Sequence, residues 1–229
     1  MKIFKSIVTA IIIIIIGTGL PIIGWGIFNI NSFFENPIRL SFIMIIIIQG
    51  VIIGFMNMTD KTENALNKGR NDRYSVIQSL VPVINRIMTL FIFFFAPYCD
   101  KSNFFTTSDY FVIRLTGIII YMIGILVTVL AHHELGKYHS IHVTIQKDHE
   151  LISKGLYKYI RNPIYLGVIL STLGLGIIFR SIISISLIAV IIGLFIWRIF
   201  AEEKVMRLEF KNEWSDYCKK TYRLIPFIF

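Results

Sequence analysis

Apolar residues in this chain collect into runs that approach the length of a membrane-crossing helix. Such a helix needs about 17–25 predominantly apolar residues, and isoleucine and phenylalanine together make up about half of several runs here. The pattern predicts an all-α, polytopic membrane protein. About six transmembrane helices are expected, at residues 7–28, 38–58, 77–95, 111–131, 164–179 and 182–200.

The third run is the least regular of the six, because polar residues lie near its centre. Pro82, Asn85 and Arg86 interrupt it, and an arginine at mid-bilayer costs on the order of 3 kcal/mol. The fifth and sixth runs are separated only by Arg180 and Ser181, which predicts a tight C-terminal helical hairpin.

Basic residues favour one side of the membrane in a six-span arrangement. The N-terminus, residues 59–76, residues 134–163 and the C-terminal tail would share one side and carry 17 of the 23 lysines and arginines. The basic residues on or near the other side are Arg39, Lys101, Arg114 and Arg180. Cytoplasmic loops are enriched in lysine and arginine, so both termini are predicted to be cytoplasmic. Without the third span this asymmetry would vanish, so we retain it and expect Arg86 to face protein or water.

Composition agrees with a single membrane domain over residues 1–229. Hydrophobic residues make up 55% of the chain and charged residues 16%, as expected of several spans. The net charge of +9 indicates cytoplasmic loops that contact anionic lipids, and no nucleic-acid partner is expected.

Four spans fill residues 1–133, whereas residues 134–229 hold a loop, the hairpin and a charged tail. Two lysines precede the first run as in a signal peptide, but no A-x-A site follows, so a retained first span is predicted.

The tail after residue 200 has an amphipathic helical pattern. Glu203 lies on the same stripe as Met206, Phe210, Trp214 and Tyr217. Lys204, Lys211 and Lys219 fall off that stripe. The pattern predicts a helix that leaves the sixth span and lies along the cytoplasmic surface, with Glu203 on its buried face. A solvated Glu202-Glu203 pair at the end of a span is the alternative, and spacing alone leaves both open.

Residues 155–165 form a polar, aromatic and turn-rich stretch that leads into the fifth run. Asn162 suits the N-cap of that helix and Pro163 its first turn, and free amides at a helix start can hold an anion. An ordinary capped helix with aromatic interface anchors explains the same residues. This stretch, the Glu202-Glu203 pair and residues 221–226 all flank the hairpin. They can therefore converge into one cytoplasmic site for a zwitterionic, aromatic-bearing ligand beside a lipid-borne one.

The histidines near the end of the fourth run do not match a zinc site. Zincins require the pattern H-E-x-x-H, but Lys137 stands where the second histidine would follow His133-Glu134. His139 and His142 form one weak pair. We expect no metal and interpret the histidines as interfacial residues at the end of a span.

A set of motifs covers residues 130–229, under half of the chain. In order, these are Leu135-Gly136, Ser140, His149-Glu150-Leu151-Ile152, Gly155-Leu156-Tyr157, Arg161-Asn162-Pro163-Ile164-Tyr165, the hairpin, Glu202-Glu203, Phe210, Trp214, Tyr217, Thr221, Arg223 and Pro226. In this order and spacing they resemble the isoprenylcysteine carboxyl methyltransferase family and, more broadly, the membrane phospholipid methyltransferases. The resemblance implies an integral-membrane methyltransferase that uses S-adenosylmethionine, releases S-adenosylhomocysteine and has no Rossmann domain.

The resemblance also implies roles for individual residues. Glu203 would approach the charged groups of the cofactor and Arg223 would lie near the acceptor, which makes these two the candidate catalytic residues. Asn162 and Tyr165 would meet the methionine end of the cofactor, and Tyr217 would wall the adenine. The full set of residues implied to bind the cofactor is His149, Leu151, Gly155, Tyr157, Arg161, Asn162, Tyr165, Glu202, Glu203 and Tyr217.

The sequence departs from the family pattern at two places. Asn162 stands where several members have histidine; it can donate to a carboxylate but cannot titrate near neutral pH. Lys211 follows Phe210 where glycine is common, which predicts that the tail helix continues through this position.

The acceptor stays open between two chemistries. A carboxylate, as in a prenylcysteine or another isoprenoid acid, is already ionised and needs alignment, for which Arg223 is the candidate. An amine phospholipid would need deprotonation, and Glu203 is then the candidate base. Either acceptor would enter laterally from the bilayer. A non-catalytic lipid-binding or assembly protein and a small transporter are further alternatives, and the lack of an inverted repeat weakens the transporter.

Overall fold

The structure, a computed structural model, describes residues 2–59, 76–135 and 151–229. The described residues form seven α-helices: α1 Lys2–Trp25, α2 Ile30–Phe34, α3 Pro37–Thr59, α4 Val76–Ser102, α5 Phe111–Leu135, α6 Pro163–Ile178 and α7 Ile182–Lys220. Short 3-10 helices occupy Ile27–Asn29 and Gly155–Lys158. Two isolated bridges are the β-type pairings within the described residues. The prediction of an all-α fold is confirmed.

Five helices, α1, α3, α4, α5 and α7, are long and apolar enough to cross a membrane. Helix α6 is apolar but shorter, with 16 residues. Each predicted run thus corresponds to one helix, and residues 179–181 alone separate α6 from α7. The chain is an integral membrane protein with the expected helical hairpin. That α6 crosses the whole bilayer stays a prediction.

The irregular third run lies within one continuous helix, α4, which includes Pro82. Val81 and Ile92 on this helix are completely buried. Arg86 lies about 140° around the helix from Val81; it is exposed and makes no hydrogen bond or ion pair within the described residues. The expectation that Arg86 faces protein or water therefore stays a prediction.

Glycine pairs bring α5 and α6 into backbone contact. A Cβ atom on Gly174 would lie 2.7 Å from the carbonyl oxygen of Gly117, and one on Gly167 would lie 2.8 Å from that of Gly124. Real Cβ atoms do not approach so closely, so the two helices pack backbone against backbone, as small residues allow in membrane helices. This packing holds the start of α6 beside the end of α5.

At the end of the bundle where α6 meets α7, a buried carboxylate gathers three arginines. Asp100 on α4 accepts hydrogen bonds from Arg114 Nη1 and Arg180 Nε, both at 2.7 Å. Arg39 Nη1 lies 3.5 Å from the same carboxylate. Arg114 also donates to Asp109, and this bond lowers the pKa of that carboxyl. The loop charges had grouped these arginines on one side, and the structure adds Asp100 as their shared partner.

Helix α7 reverses direction near its C-terminal end. Lys211 has φ 43° and ψ −109°, outside the helical region. Arg161 contacts both Glu203 and the carbonyl oxygen of Cys218, although a straight helix would separate these two residues by about 22 Å. The break at Lys211 therefore folds residues 212–220 back toward residue 203. The prediction that the helix continues through Lys211 is wrong, because the backbone of this residue is not helical. Glycine adopts such a conformation readily, which agrees with the glycine common at this position in the family.

Three of the five residues on the predicted stripe of the tail are nevertheless buried, and Met206 and Phe210 are half-buried. Glu203, Trp214 and Tyr217 are buried, whereas the three lysines off the stripe are exposed. Because the chain turns back at Lys211, both halves of the stripe face the segment before α6. That the tail lies along the membrane surface stays a prediction.

Candidate functional site

The chain just before α6 and the chain after α7 are joined by backbone hydrogen bonds. The amide of Arg161 donates to the carbonyl oxygen of Tyr222 at 2.8 Å, and the amide of Tyr222 donates to that of Tyr159 at 2.9 Å. Residues 160 and 222 are thereby paired in the parallel sense. The structure thus brings together residues 155–165 and 221–226, as the sequence predicted.

Glu203 lies between two arginines at the centre of this junction. Its Oε1 accepts from Arg161 Nε at 3.0 Å, and its Oε2 accepts from Arg223 Nε at 3.0 Å. The residue is only 7% exposed. Charge-assisted bonds of this kind fix both distance and orientation. Three predicted site residues therefore form one cluster, which connects the loop before α6, helix α7 and the chain beyond it.

Arg161 also closes the end of α7. Its Nη1 donates to Thr221 Oγ1 at 3.0 Å and to the carbonyl oxygen of Cys218 at 3.3 Å, and it contacts the carbonyl oxygen of Thr221 as well. The last carbonyl groups of a helix lack partners within the helix and carry partial negative charge. A guanidinium at this place satisfies both needs, so Arg161 has a structural role in addition to its predicted contact with a cofactor.

Asn162 is the N-cap residue of α6, as predicted, but its side chain does not cap the helix. No capping hydrogen bond is formed, and Nδ2 instead donates to the carbonyl oxygen of Arg223 at 2.9 Å. The Asn162 side chain thus fixes the backbone of Arg223, the residue predicted to lie near the methyl acceptor. Its contact with the methionine end of a cofactor stays a prediction.

A second polar cluster joins Tyr165, in the first turn of α6, to Arg198 and Glu202 on α7. Tyr165 donates through its hydroxyl to Glu202 Oε1 at 2.7 Å, and Arg198 Nε donates to the same oxygen at 2.8 Å. The Tyr165 ring stacks on Phe195, with centroids 4.6 Å apart. Arg198 was missed from the sequence, although its i,i+4 spacing from Glu202 is the signal that could have found it.

Tyr157 and Tyr217 form an aromatic side of the site. The hydroxyl of Tyr217 donates to the carbonyl oxygen of Tyr157 at 2.7 Å. Burial raises the pKa of Tyr157 above its ordinary value, so its hydroxyl stays neutral in strongly basic solution as well as at physiological pH. Trp214 packs against Tyr217, and its Nε1 is buried without a hydrogen-bond partner among the described residues.

Gly155 faces the side chain of Glu134 at the end of α5. It has φ +57°, and a Cβ atom there would lie 1.7 Å from Glu134 Oε1. The amide of Leu156 donates to the other carboxylate oxygen at 2.7 Å. Glu134, to which the sequence analysis assigned no role in the site, therefore holds the turn that presents Tyr157. Of the remaining predicted residues, Leu151 is half-buried and His149 lies outside the described residues.

Several donors of the site remain for a ligand. Arg161 Nη2 and both Nη atoms of Arg223 make no hydrogen bond within the part of the chain that the structure describes. Combined with two carboxylates and several aromatic rings, they fit a zwitterionic ligand that carries a base, such as the implied S-adenosylmethionine. No group of three metal-binding side chains occurs among the described residues, and His139 and His142 lie outside them.

Sequence comparisons place these residues in a family context. The model of the family described as phospholipid methyltransferase matches residues 112–213. The "Probable protein-S-isoprenylcysteine O-methyltransferase" of Oryza sativa subsp. indica is 28% identical over 128 residues, which cover 53% of this chain and 65% of that protein. The "Protein-S-isoprenylcysteine O-methyltransferase" of Schizosaccharomyces pombe is 32% identical over 83 residues, covering 36% of this chain and 35% of that protein.

A solved structure of a eukaryotic intramembrane Ras methyltransferase, an isoprenylcysteine carboxyl methyltransferase, is similar with a TM-score of 0.49 and 20% identity. The alignment covers 80% of this chain and 67% of that chain. The chain spans less than two thirds of the length of the curated relatives named above. The family match includes residues 161 and 203 but ends before Tyr217 and Arg223. The sequence matches confirm the resemblance: this chain is similar to protein-S-isoprenylcysteine O-methyltransferases over part of its length, and residues 112–213 match the phospholipid methyltransferase family model.

Proposed function

We propose that this protein is an integral-membrane methyltransferase that uses S-adenosylmethionine to methylate a carboxylate on a lipid-like or isoprenoid-bearing acceptor, such as a prenylcysteine. The relatives that are similar to this chain in sequence are named as O-methyltransferases. The observation that carries the proposal is the Arg161–Glu203–Arg223 cluster. It joins three segments of the chain around one buried carboxylate.

The cofactor would bind on the α6 side of this cluster. Arg161 and Asn162 would hold its carboxylate, while Glu202, Glu203 and the Tyr165 hydroxyl would face its positive groups. Tyr157 and Tyr217 would contact the adenine ring of the cofactor, and His149, Leu151 and Gly155 would complete the pocket. When bound, S-adenosylmethionine supplies an electrophilic methyl group on a sulfonium, and S-adenosylhomocysteine is the product.

Arg223 would align the acceptor on the other side of the cluster. Its guanidinium carbon lies 5.1 Å from the centroid of the Phe200 ring and 5.3 Å from that of Phe229. The rings hold the guanidinium in place and give apolar contact to a lipid-borne group. Its two Nη atoms can donate to the two oxygens of a carboxylate in the bidentate manner typical of arginine. Charge is lost as the methyl group transfers, so a site shielded from water favours the reaction.

An amine phospholipid is the second candidate acceptor, because the matching family is described as phospholipid methyltransferase. Its amine would need to lose a proton, and Glu203 would be the base. Both oxygens of Glu203 already accept from guanidinium groups. This engagement of both oxygens supports the carboxylate as the acceptor.

The site and both termini would lie on the cytoplasmic side, and the basic loops there would contact anionic lipids. This orientation is supported by the 17 of 23 lysines and arginines that six spans place on one side. The acceptor would then reach Arg223 laterally from the cytoplasmic leaflet.

Titration of the detergent-solubilised protein with S-adenosylhomocysteine tests the cofactor site. We expect saturable binding that weakens about tenfold or more in Glu203→Gln, since a charge-assisted contact is lost. Binding is expected to be largely kept in Arg223→Ala and in the control Arg207→Ala, which alters an exposed residue of the same helix. If the unsubstituted protein does not bind the ligand, the non-catalytic alternative holds.

Methyl transfer to a prenylcysteine, an isoprenoid acid and an amine phospholipid then tests the acceptor. We expect turnover on a carboxylate acceptor that falls about tenfold or more in Arg223→Ala, with S-adenosylhomocysteine binding kept. Turnover on the amine alone would establish the second candidate. If Glu203→Gln and Arg223→Ala both bind and turn over normally, the site assignment is wrong.

A further inference from the structure

Residues 224–229, named here the apolar turn, form a compact unit closed by their own hydrogen bonds. The amides of Leu224 and Ile225 donate to the carbonyl oxygen of Phe229 at 2.8 and 3.1 Å, and the amide of Phe229 donates to that of Ile225 at 3.0 Å. Phe227 occupies the tip with φ 66°. The shape of the apolar turn is therefore fixed by contacts within itself.

The two sides of the apolar turn differ sharply in exposure. Leu224 is 3% exposed, and Phe229 packs against the core. On the outer side, Phe227 is 88% exposed, Ile228 78% and Ile225 41%. Three large apolar side chains on one short turn form a patch that is unfavourable in water.

The apolar turn continues the lipid-facing surface of α7. The rings of Phe229 and Phe200 lie with centroids 6.2 Å apart. Phe200 is the last residue of the sixth apolar run, and Phe200 and Trp197 are 49% and 43% exposed on this helix. The apolar turn is thus joined through Phe229 to the residue at which the predicted span ends. We expect the headgroup region to begin there, and aromatic side chains prefer that place.

We propose that Ile225, Phe227 and Ile228 insert into the boundary between acyl chains and headgroups. The leaflet is the one in which the apolar run of α7 ends, at Phe200. The apolar turn thereby anchors the chain after α7 to the bilayer surface. Exposed basic residues precede it at Lys219 and Lys220, and such a combination of apolar tip and basic flank suits an anionic membrane surface. The anchoring goes beyond the proposed reaction and holds for any acceptor.

Anchoring has a direct consequence for Arg223, which immediately precedes the apolar turn. Arg223 is bonded to Glu203 on one side and stands between Phe200 and Phe229 on the other. Insertion of the patch would hold its guanidinium at the level of the lipid headgroups. A charged group carried on a membrane-embedded chain lies at that same level.

A depth measurement in lipid nanodiscs tests the proposal. In a Cys218→Ser background, Phe227→Cys is labelled with an environment-sensitive fluorophore, and Ile228→Cys provides a second variant. Cys99 is buried and is left in place. The control is Lys219→Cys, because the Lys219 side chain is 72% exposed on the charged face of the tail. One protein is placed in each disc of phosphatidylcholine and phosphatidylglycerol, with or without doxyl-labelled lipid.

We expect labels at 227 and 228 to emit at shorter wavelength than the label at 219. Quenching by doxyl lipid should be about twofold or more stronger at these positions, with weak quenching by aqueous iodide. Equal access of iodide to all three positions would overturn the proposal. Shielding from iodide without doxyl quenching would also overturn it, since protein rather than lipid would then cover the patch. Titration of the labelled proteins with S-adenosylhomocysteine reports separately on the proposed function.

Discussion

Arg161 and Glu203 are 42 positions apart in the chain, yet Arg161 Nε lies 3.0 Å from Glu203 Oε1. Their side chains are 8% and 9% exposed. Arg161 also binds the carbonyl group of Cys218 near the end of α7. One guanidinium thus connects the loop before α6 with both halves of the broken helix. Without Arg161, the buried Glu203 carboxylate would keep only Arg223 as its charged partner.

Arg161→Ala is therefore expected to release residues 212–229 from the rest of the protein. Removing one member of a buried ion pair costs about 3–5 kcal/mol, and here the carbonyl groups at the helix end lose their donor too. Thermal unfolding and limited proteolysis in detergent measure the effect. Lys219→Ala, which removes an exposed pair with Asp216, serves as the control and should leave both readouts unchanged. Equal behaviour of the two variants would contradict the role given to Arg161.

Lys211→Gly is expected to stabilise the protein by about 1 kcal/mol. The backbone of Lys211 has a positive φ that a side chain makes costly and that glycine tolerates. Thermal unfolding in detergent measures the gain. Lys211→Ala removes the same charge but keeps a Cβ atom, so it should give no gain. A stabilised alanine variant would show that charge rather than backbone conformation is responsible.

Gly174→Ala is expected to destabilise the pairing of α5 and α6 by about 1–3 kcal/mol, as overpacking does. A Cβ atom at residue 174 would lie 2.4 Å from the amide nitrogen of Tyr121, so the helices must move apart. The matched control is Gly193→Ala in α7, where nothing lies within 4 Å of a Cβ atom. If both variants unfold at the same temperature, the backbone contact does not determine stability.

Asp100→Asn is expected to be among the most damaging substitutions at the other end of the bundle. Its side chain is fully buried, and Arg114 and Arg180 would keep their charges without the shared counter-ion. A loss of about 3 kcal/mol or more is expected in thermal unfolding. Asp109→Asn provides the comparison, because the Asp109 side chain is 55% exposed. Its loss should be clearly smaller.

The same comparison has a defined dependence on pH. The hydrogen bond from Arg114 lowers the pKa of Asp109 in the folded protein. Its contribution to stability is then present above the unfolded pKa of about 4 and is lost as the pH falls through the folded value. The stability difference between the unsubstituted protein and Asp109→Asn should accordingly shrink in acid. A difference that grows in acid would contradict the pairing.

The membrane helices were predictable because a spanning segment must satisfy its backbone within itself, and only long apolar helices do so. The convergence of the site was predictable for a similar reason, since a tight hairpin brings its flanks together. The break at Lys211 was hidden, because the helical spacing from Glu203 to Tyr217 continues across it. The glycine common at that position in the family was the available signal.

Side-chain partners were harder to predict than helices. Asp100 lies at the end of an apolar run, and its link to Arg114 and Arg180 depends on how three helices pack. Sequence spacing does not contain that information. The sequence indicated this cluster only by placing several arginines near one end of the bundle with no acidic partner assigned to them. Glu134 was likewise hidden, because its partner is the backbone of Leu156 rather than a charged side chain.

The backbone pairing of Tyr222 with residues 159 and 161 makes the site depend on a segment that is synthesised after all six apolar runs. The site cannot close until residue 222 has left the ribosome, whereas α5 and α6 can already join through their glycines. Membrane insertion and bundle assembly therefore precede the completion of the site. A nascent chain halted before residue 222 would be an inserted helical bundle with the residues of the site still apart.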